Sequence, residues 1–251
     1  YATRLQRVRR EPAMLKAERA SCEAGVMKPW SGPIVVWRTM KRDRWWAKFM
    51  GCMFMLGAGN LLIMPTLIIL LDEEFRLGYL QSMIIATALP ATMTAIAIPL
   101  WARLLNRAHV VRFRAIHSWV FVVATLVMLV GAVAHRVEMI YLGAALQGFG
   151  LGGGALAWNL GHLDFAPPAQ TSQYMATHVT LNGVRGLLMP FIAVLLYNWA
   201  SELSFGGKPI GGGAAVIVLA LAMFLSLIGA IGFGLLQRQM GQLVAASRRA
   251  G

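Results

Sequence analysis

Six long apolar stretches follow one another along this chain, separated by short polar connections. They run approximately from Phe49 to Leu71, Tyr79 to Trp101, Phe113 to Ala134, Val137 to Gly161, Tyr174 to Ala200 and Ala214 to Leu236. About 20 apolar residues are needed for a helix to cross roughly 30 Å of hydrocarbon, and each stretch meets that length. A transmembrane β-barrel writes ten-residue alternation instead of unbroken runs. The pattern therefore predicts an all-α polytopic membrane protein with six transmembrane helices. It divides the chain into a basic segment (1–48), a six-helix domain (49–236) and a short tail (237–251).

Composition strengthens this picture: 58% of the 251 residues are hydrophobic and 13% charged, too little polar surface for a water-exposed domain of this size. The formal charge of +13 is distributed unevenly. Twelve Lys and Arg fall in 1–48, four in the connection after the second stretch (Arg103, Arg107, Arg112, Arg114) and three in the tail. The alternate connections hold one each: Arg76, Arg136 and Lys208. Nineteen against three predicts that both ends lie on the cytoplasmic side of a plasma (inner) membrane. Trp45 and Trp46, beside Arg44 and Lys48, suit an aromatic belt at that interface, and Ser172 suits a cap on the fifth span. No signal-peptide pattern opens the chain. Because it begins with Tyr1, it reads as processed or as a piece of something longer.

Residues 34–46 predict an amphipathic helix lying on the inner leaflet after Pro33. Arg38, Lys41, Arg42, Arg44 and Lys48 are ordinary juxtamembrane charges on one reading and a patch for anionic lipid on another. No nucleic-acid motif accompanies them, so no nucleic-acid partner is expected. Cys22 and Cys52 sit in unlike surroundings and read as reduced thiols.

The candidate chemistry lies in the fifth stretch, "THVTLNGVRGLLMP" (177–190). Arg185 falls near mid-membrane, where an arginine costs about 2.5–3.5 kcal/mol on insertion scales and should face protein or water. His178, Asn182 and Arg185 follow at i, i+4 and i+7, one polar stripe on one face. Gly183 and Gly186 beside it predict close approach of a helix or ligand, and Pro190 a bend. No Asp or Glu lies deep in any span to pair with Arg185. It is therefore either a substrate- or ion-linked group or a structural lock on helix-end carbonyls. Asn60, in the first span, serves packing or binding. Gln147 opens a glycine run in the fourth, where Gly148/Gly152 and Gly150/Gly154 are small-xxx-small pairs. These signal close packing or a flexible point.

Enzyme signatures are missing from the apolar region: no metal motif, no Gly-x-Ser-x-Gly, no paired carboxylates. No catalytic residue, metal or cofactor is expected. Haem ligation by His117, His135 or His178 is disfavoured by their different depths.

Six spans with both ends inside, preceded by a long basic segment, resemble the C-terminal half of a major facilitator superfamily transporter. The connection "PLWARLLNRAHVVRFR" (99–114) stands where that family has a basic loop reading Gly-x-x-x-Asp-Arg-x-Gly-Arg-Arg/Lys. Here Asn106 replaces the Asp, Arg107 matches the Arg and His109 replaces the second Gly. The resemblance implies alternating access between two six-helix halves, with residues 1–48 as their cytoplasmic linker and the N-terminal half of the same protein as partner. It places Asn60 and Gln147 on cavity-lining helices and the His178–Asn182–Arg185 stripe on a contributing one. Arg185 would then bind an anionic group of a small-molecule substrate or pair with a carboxylate of the other half. Asn106, Arg107, Gly150 and Gly154 would serve the conformational change. The competing expectation is a self-contained six-helix scaffold or assembly subunit in the lipid bilayer, with Arg185 structural.

Overall fold

The computed structural model describes residues 32–205, 208–209 and 213–250. The charged stretch before residue 32, with Cys22, lies outside the described residues. The chain is an all-α bundle of six membrane-length helices: Arg44–Glu74, Tyr79–Leu105, Val110–Val133, Val137–Asp164, Pro168–Ser201 and Gly213–Leu243. We refer to these as the first to sixth spans. A two-residue antiparallel pair, Ser204–Phe205 with Lys208–Pro209, stands between the fifth and sixth.

The helix before the first span covers Gly32–Arg42, shorter than the predicted 34–46. Asp43 ends it and begins the next: its backbone is extended, and its Oδ1 accepts from Trp45 N–H (3.0 Å) and Trp46 N–H (2.9 Å). This N-cap satisfies orphan amides of the first turn and starts the first span five residues before Phe49. Trp46 is consequently no belt residue. It is fully buried, ringed by Phe49, Phe165, Tyr174 and His178, whereas Trp45 is half-buried with Lys48 over its ring. Ser172 lies exposed inside the first turn of the fifth span and caps nothing; Gln170 holds the cap position without a side-chain bond.

The prolines are absorbed with little disruption. A π-helical segment, Ile84–Ala88, directly precedes Pro90 in the second span. The wider turn suits a residue that has no N–H and crowds the preceding turn. Pro65 and Pro190 sit inside continuous helix.

The sixth span packs on the first and third, the fourth on the second and third, and the fifth chiefly on the first. Laid side by side the order is 2–4–3–6–1–5, which leaves the second and fifth spans at the two ends. These two bury the least: 11% and 6% of their apolar windows, against 44–50% in the other four. Two apolar clusters fill the interior. One, around Trp46, Phe49, Trp101, Phe113 and Phe233, lies towards the Asp43 end. The other, around Leu62, Leu71, Met128, Ile140 and Leu219, lies towards the Glu73 end.

Candidate functional site

The polar stripe of the fifth span is brought together as its spacing predicts. His178, Asn182 and Arg185 line one narrow gap against Met50, Met53 and Phe54 of the first span, with Leu181 beside them. Arg185 Nη1 donates to Met53 O at 2.6 Å, and Nη2 donates to Asn182 Oδ1. Its Nε is buried without a partner. Among the described residues no carboxylate pairs with it.

The room for this guanidinium comes from Gly57, not from the glycines beside Arg185. A Cβ on Gly57 would lie 1.8 Å from Arg185 Nη1. Gly183 and Gly186, by contrast, are exposed and have nothing within 4 Å of where a Cβ would stand. The close approach expected at those two positions does not occur in this bundle, because they fall on the face of the fifth span turned away from the first.

His178 is buried, its ring 5.3 Å from that of Trp158 and 6.4 Å from that of Trp46, and its Nδ1 has no partner. Three further polar groups gather in this region. Arg114 is 3% exposed. It is not a connection residue, since the third span starts at Val110 and carries it inward. Its bonds are long: Nη1 to His117 Nδ1 at 3.4 Å and Nη2 to Gly154 O at 3.5 Å, with Nε unpaired. His117 is anchored by Gly150 O (2.7 Å) and packed between Phe113, Trp101 and Phe121. His162, at the end of the fourth span, is buried with Nδ1 unpaired. Arg114 lies within electrostatic reach of Arg185, and His178 within reach of Arg114, Arg185 and His162. The bundle thus holds a basic interior with no acidic counterpart among the described residues.

Asn60 and Gln147 form a different pair. Gln147 Nε2 donates to Asn60 Oδ1 (3.4 Å), joining the first and fourth spans, while Gln147 Oε1 is buried and unpaired. The glycines beyond Gln147 work on two faces of one uninterrupted helix. A Cβ at Gly148 would meet Pro90 O at 2.3 Å, and one at Gly152 would meet Thr94 O at 2.8 Å, both on the second span. Gly150 and Gly154 face Phe121 of the third span, and their carbonyls accept from His117 and Arg114. Close packing accounts for Gly148, Gly150 and Gly152; at Gly154 a Cβ would stand 3.6 Å from Phe121, an ordinary contact.

Asn106 closes the second span through its N–H to Ala102 O, and Arg107 is exposed beside it. The acid of this connection comes from elsewhere: Asp164 Oδ2 accepts Val110 N–H at 2.6 Å and lies 3.9 Å from His109 Nδ1. The start of the third span is therefore tied to the end of the fourth. His135 stands at the opposite end of the bundle, beside Phe75, far along the chain's path from His117 and His178. Cys52 is a free thiol packed toward Gly232.

Sequence reasoning found the stripe and missed Arg114, Gly57, Trp46 and His162 as parts of its surroundings. One local signal for Arg114 existed: with His117 it repeats the i, i+3 spacing of one helix face. Compared with known proteins, the chain matches no family model, no curated sequence and no solved structure.

Proposed function

We propose that this chain is the C-terminal six-helix half of a secondary transporter of the major facilitator type, moving a small solute by alternating access. The observation that carries the reading is Arg185: a mid-span guanidinium held only by a backbone carbonyl and a side-chain amide. Intramembrane charges so placed mark substrate or ion pathways by default. The packing order supports it, since the second and fifth spans stand at the ends with most of their surface uncovered, as flanks that another bundle would meet. In this reading Arg185 and Asn182 contact solute, with His178 behind them. Asn60 and Gln147 line the cavity where the first and fourth spans meet. The 106–109 connection, with Asn106 and Arg107, couples the second and third spans to the fixed fourth span through Asp164. Both ends of the segment are cytoplasmic in the plasma membrane: removing the buried Arg114 from the charge count still leaves eighteen against three.

The test is exchange by mass spectrometry. Vesicles carrying the protein are loaded with a metabolite extract, and the solutes that leave are identified. At least one should move with the wild type and stay with Arg185→Gln, both proteins being inserted to the same level. Solutes leaving no faster than from empty vesicles would favour the six-helix scaffold, in which Arg185→Gln lowers folding yield instead.

A further inference from the structure

Arginine is always charged in proteins, and a buried charge without a counter-ion costs several kcal/mol unless hydrogen bonds compensate it. Arg114 is 3% exposed, and its two bonds, at 3.4 and 3.5 Å, are at the limit of what counts as a hydrogen bond. Further nitrogens are buried without partners: Nε of Arg114, Nε of Arg185, the Trp46 indole N–H, and Nδ1 of His162 and of His178; the His178 ring packs beside Trp46 and shares the gap with Arg185. Arg114, Trp46 and His178 are each more than nine-tenths buried. Such orphans are rare in native interiors and call for a missing acceptor. The fixed donors identify it: two guanidinium nitrogens and an indole N–H, beside imidazoles that can also donate, match an oxyanion.

We infer that the region between Arg114, His178 and Arg185 binds an organic anion, a carboxylate or phosphate head on an apolar body. This rests on the reading of Arg185 as solute-facing and names the class of solute. The head replaces neutral acceptors. Arg185 now holds Met53 O and Asn182 Oδ1, and a charged oxyanion accepts about twice as strongly as either, so it draws the guanidinium off them. The gap is too tight here for a water molecule, so the body enters as Arg185 swings aside and the two spans part; it then meets Met50, Met53 and Phe54, which form the opposite wall. An inorganic ion would leave these apolar surfaces without a role.

The purified protein in detergent is titrated with pentanoate, pentyl phosphate, uncharged pentanamide and inorganic phosphate, following tryptophan fluorescence and melting temperature. Trp46 and Trp158, the rings beside His178, report directly. At least one pentyl anion should quench and stabilise, and the tighter of the two assigns the head; pentanamide should do neither. Inorganic phosphate binding as tightly as pentyl phosphate would remove the apolar body from the proposal. Arg114→Gln should weaken the anion at least about tenfold, the loss of a charge-assisted bond. Should that variant not fold, Trp46→Phe removes the indole N–H and leaves a smaller aromatic ring in its place, and Arg185→Lys keeps the charge and removes the fork; each should weaken binding several-fold. Pentanamide equal to pentanoate, or both conservative variants binding as the wild type does, overturns the site. The two readings fail separately. Anion binding without solute movement in vesicles retires transport and keeps the site. Solute movement lost in Arg185→Gln, with no anion bound, does the reverse.

Discussion

The fourth and fifth spans are both uninterrupted helices of membrane length, yet they are held in opposite ways. The fourth is packed through its glycines: backbone of the second span lies against Gly148 and Gly152, and Phe121 of the third against Gly150. The fifth leaves Leu187, Phe191 and Leu195 about two-thirds exposed and is tied to the first span by three polar links along its length. Tyr174 donates to Asp43 at one end (2.9 Å), Arg185 to Met53 O in the middle, and Tyr197 to Glu73 at the other end (2.7 Å). Backbone-level packing has one good arrangement, because an interior this dense does not deform continuously. Side-chain hydrogen bonds exchange partners at small cost. The fourth span is built to stay and the fifth is able to shift.

The strongest way to break this contrast is at Gly148. A Cβ there meets the O, Cα and C atoms of Pro90 at 2.3 to 2.8 Å, and backbone cannot turn aside. Gly148→Ala should lower stability by about 1–3 kcal/mol, as overpacking does, and Gly148→Leu should abolish folding. Melting in detergent and monodispersity read both. A tolerant Gly148→Ala would mean the fourth span moves as easily as the fifth.

Gly57→Ala is the sharper test, because its clash is worse on paper and milder in kind. The Cβ would fall 1.8 Å from Nη1 of Arg185 and 2.1 Å from its Cζ, the far end of a flexible side chain. The guanidinium swings away, giving up the Met53 O bond, while the helices stay in place. Yield and melting temperature should change little, and the functional readouts of Arg185→Gln should be reproduced with the arginine still present. A large stability loss would instead make Arg185 a structural lock.

How much of this was legible beforehand follows the same division. The six spans, the amphipathic helix before them, and the stripe His178–Asn182–Arg185 are periodic features, and helical period alone determines which residues share a face. What the stripe faces is not periodic. Gly57 stands 128 positions from Arg185 in the chain, and nothing local distinguishes it from the exposed Gly51, whose Cβ would meet nothing. Arg114 was misplaced for a related reason. A hydropathy window sees an arginine five residues past a connection and assigns it to that connection. Its burial comes from the fourth span, whose Gly154 carbonyl meets its guanidinium. Trp46 was misread likewise, since Asp43 starts the helix early enough to carry it inward. Gly183 and Gly186 erred in the other direction, being small residues with no neighbour to admit.

Smaller effects are expected at the ends of the fifth span. Tyr197→Phe removes one bond to an exposed carboxylate and should cost about 1 kcal/mol. Hydrogen exchange should then rise in the last turns of the fifth span and stay unchanged in the fourth. Exchange rising equally in both would show that the two helices open as one unit, which would end the contrast.

The smallest change is expected at Gly183, where the fifth span presents an open face. Alanine is the better helix former by about 0.5–1 kcal/mol, and nothing lies within 4 Å to oppose it. Gly183→Ala should therefore raise the melting temperature slightly in detergent, with Gly186→Ala behaving alike. The informative comparison is with the native membrane. Gly183→Leu, harmless in the isolated bundle, stays harmless there if lipid covers this face, and it lowers function if a second bundle packs against it. A loss of function in membranes with unchanged melting in detergent would identify the open face of the fifth span as the surface that meets a partner.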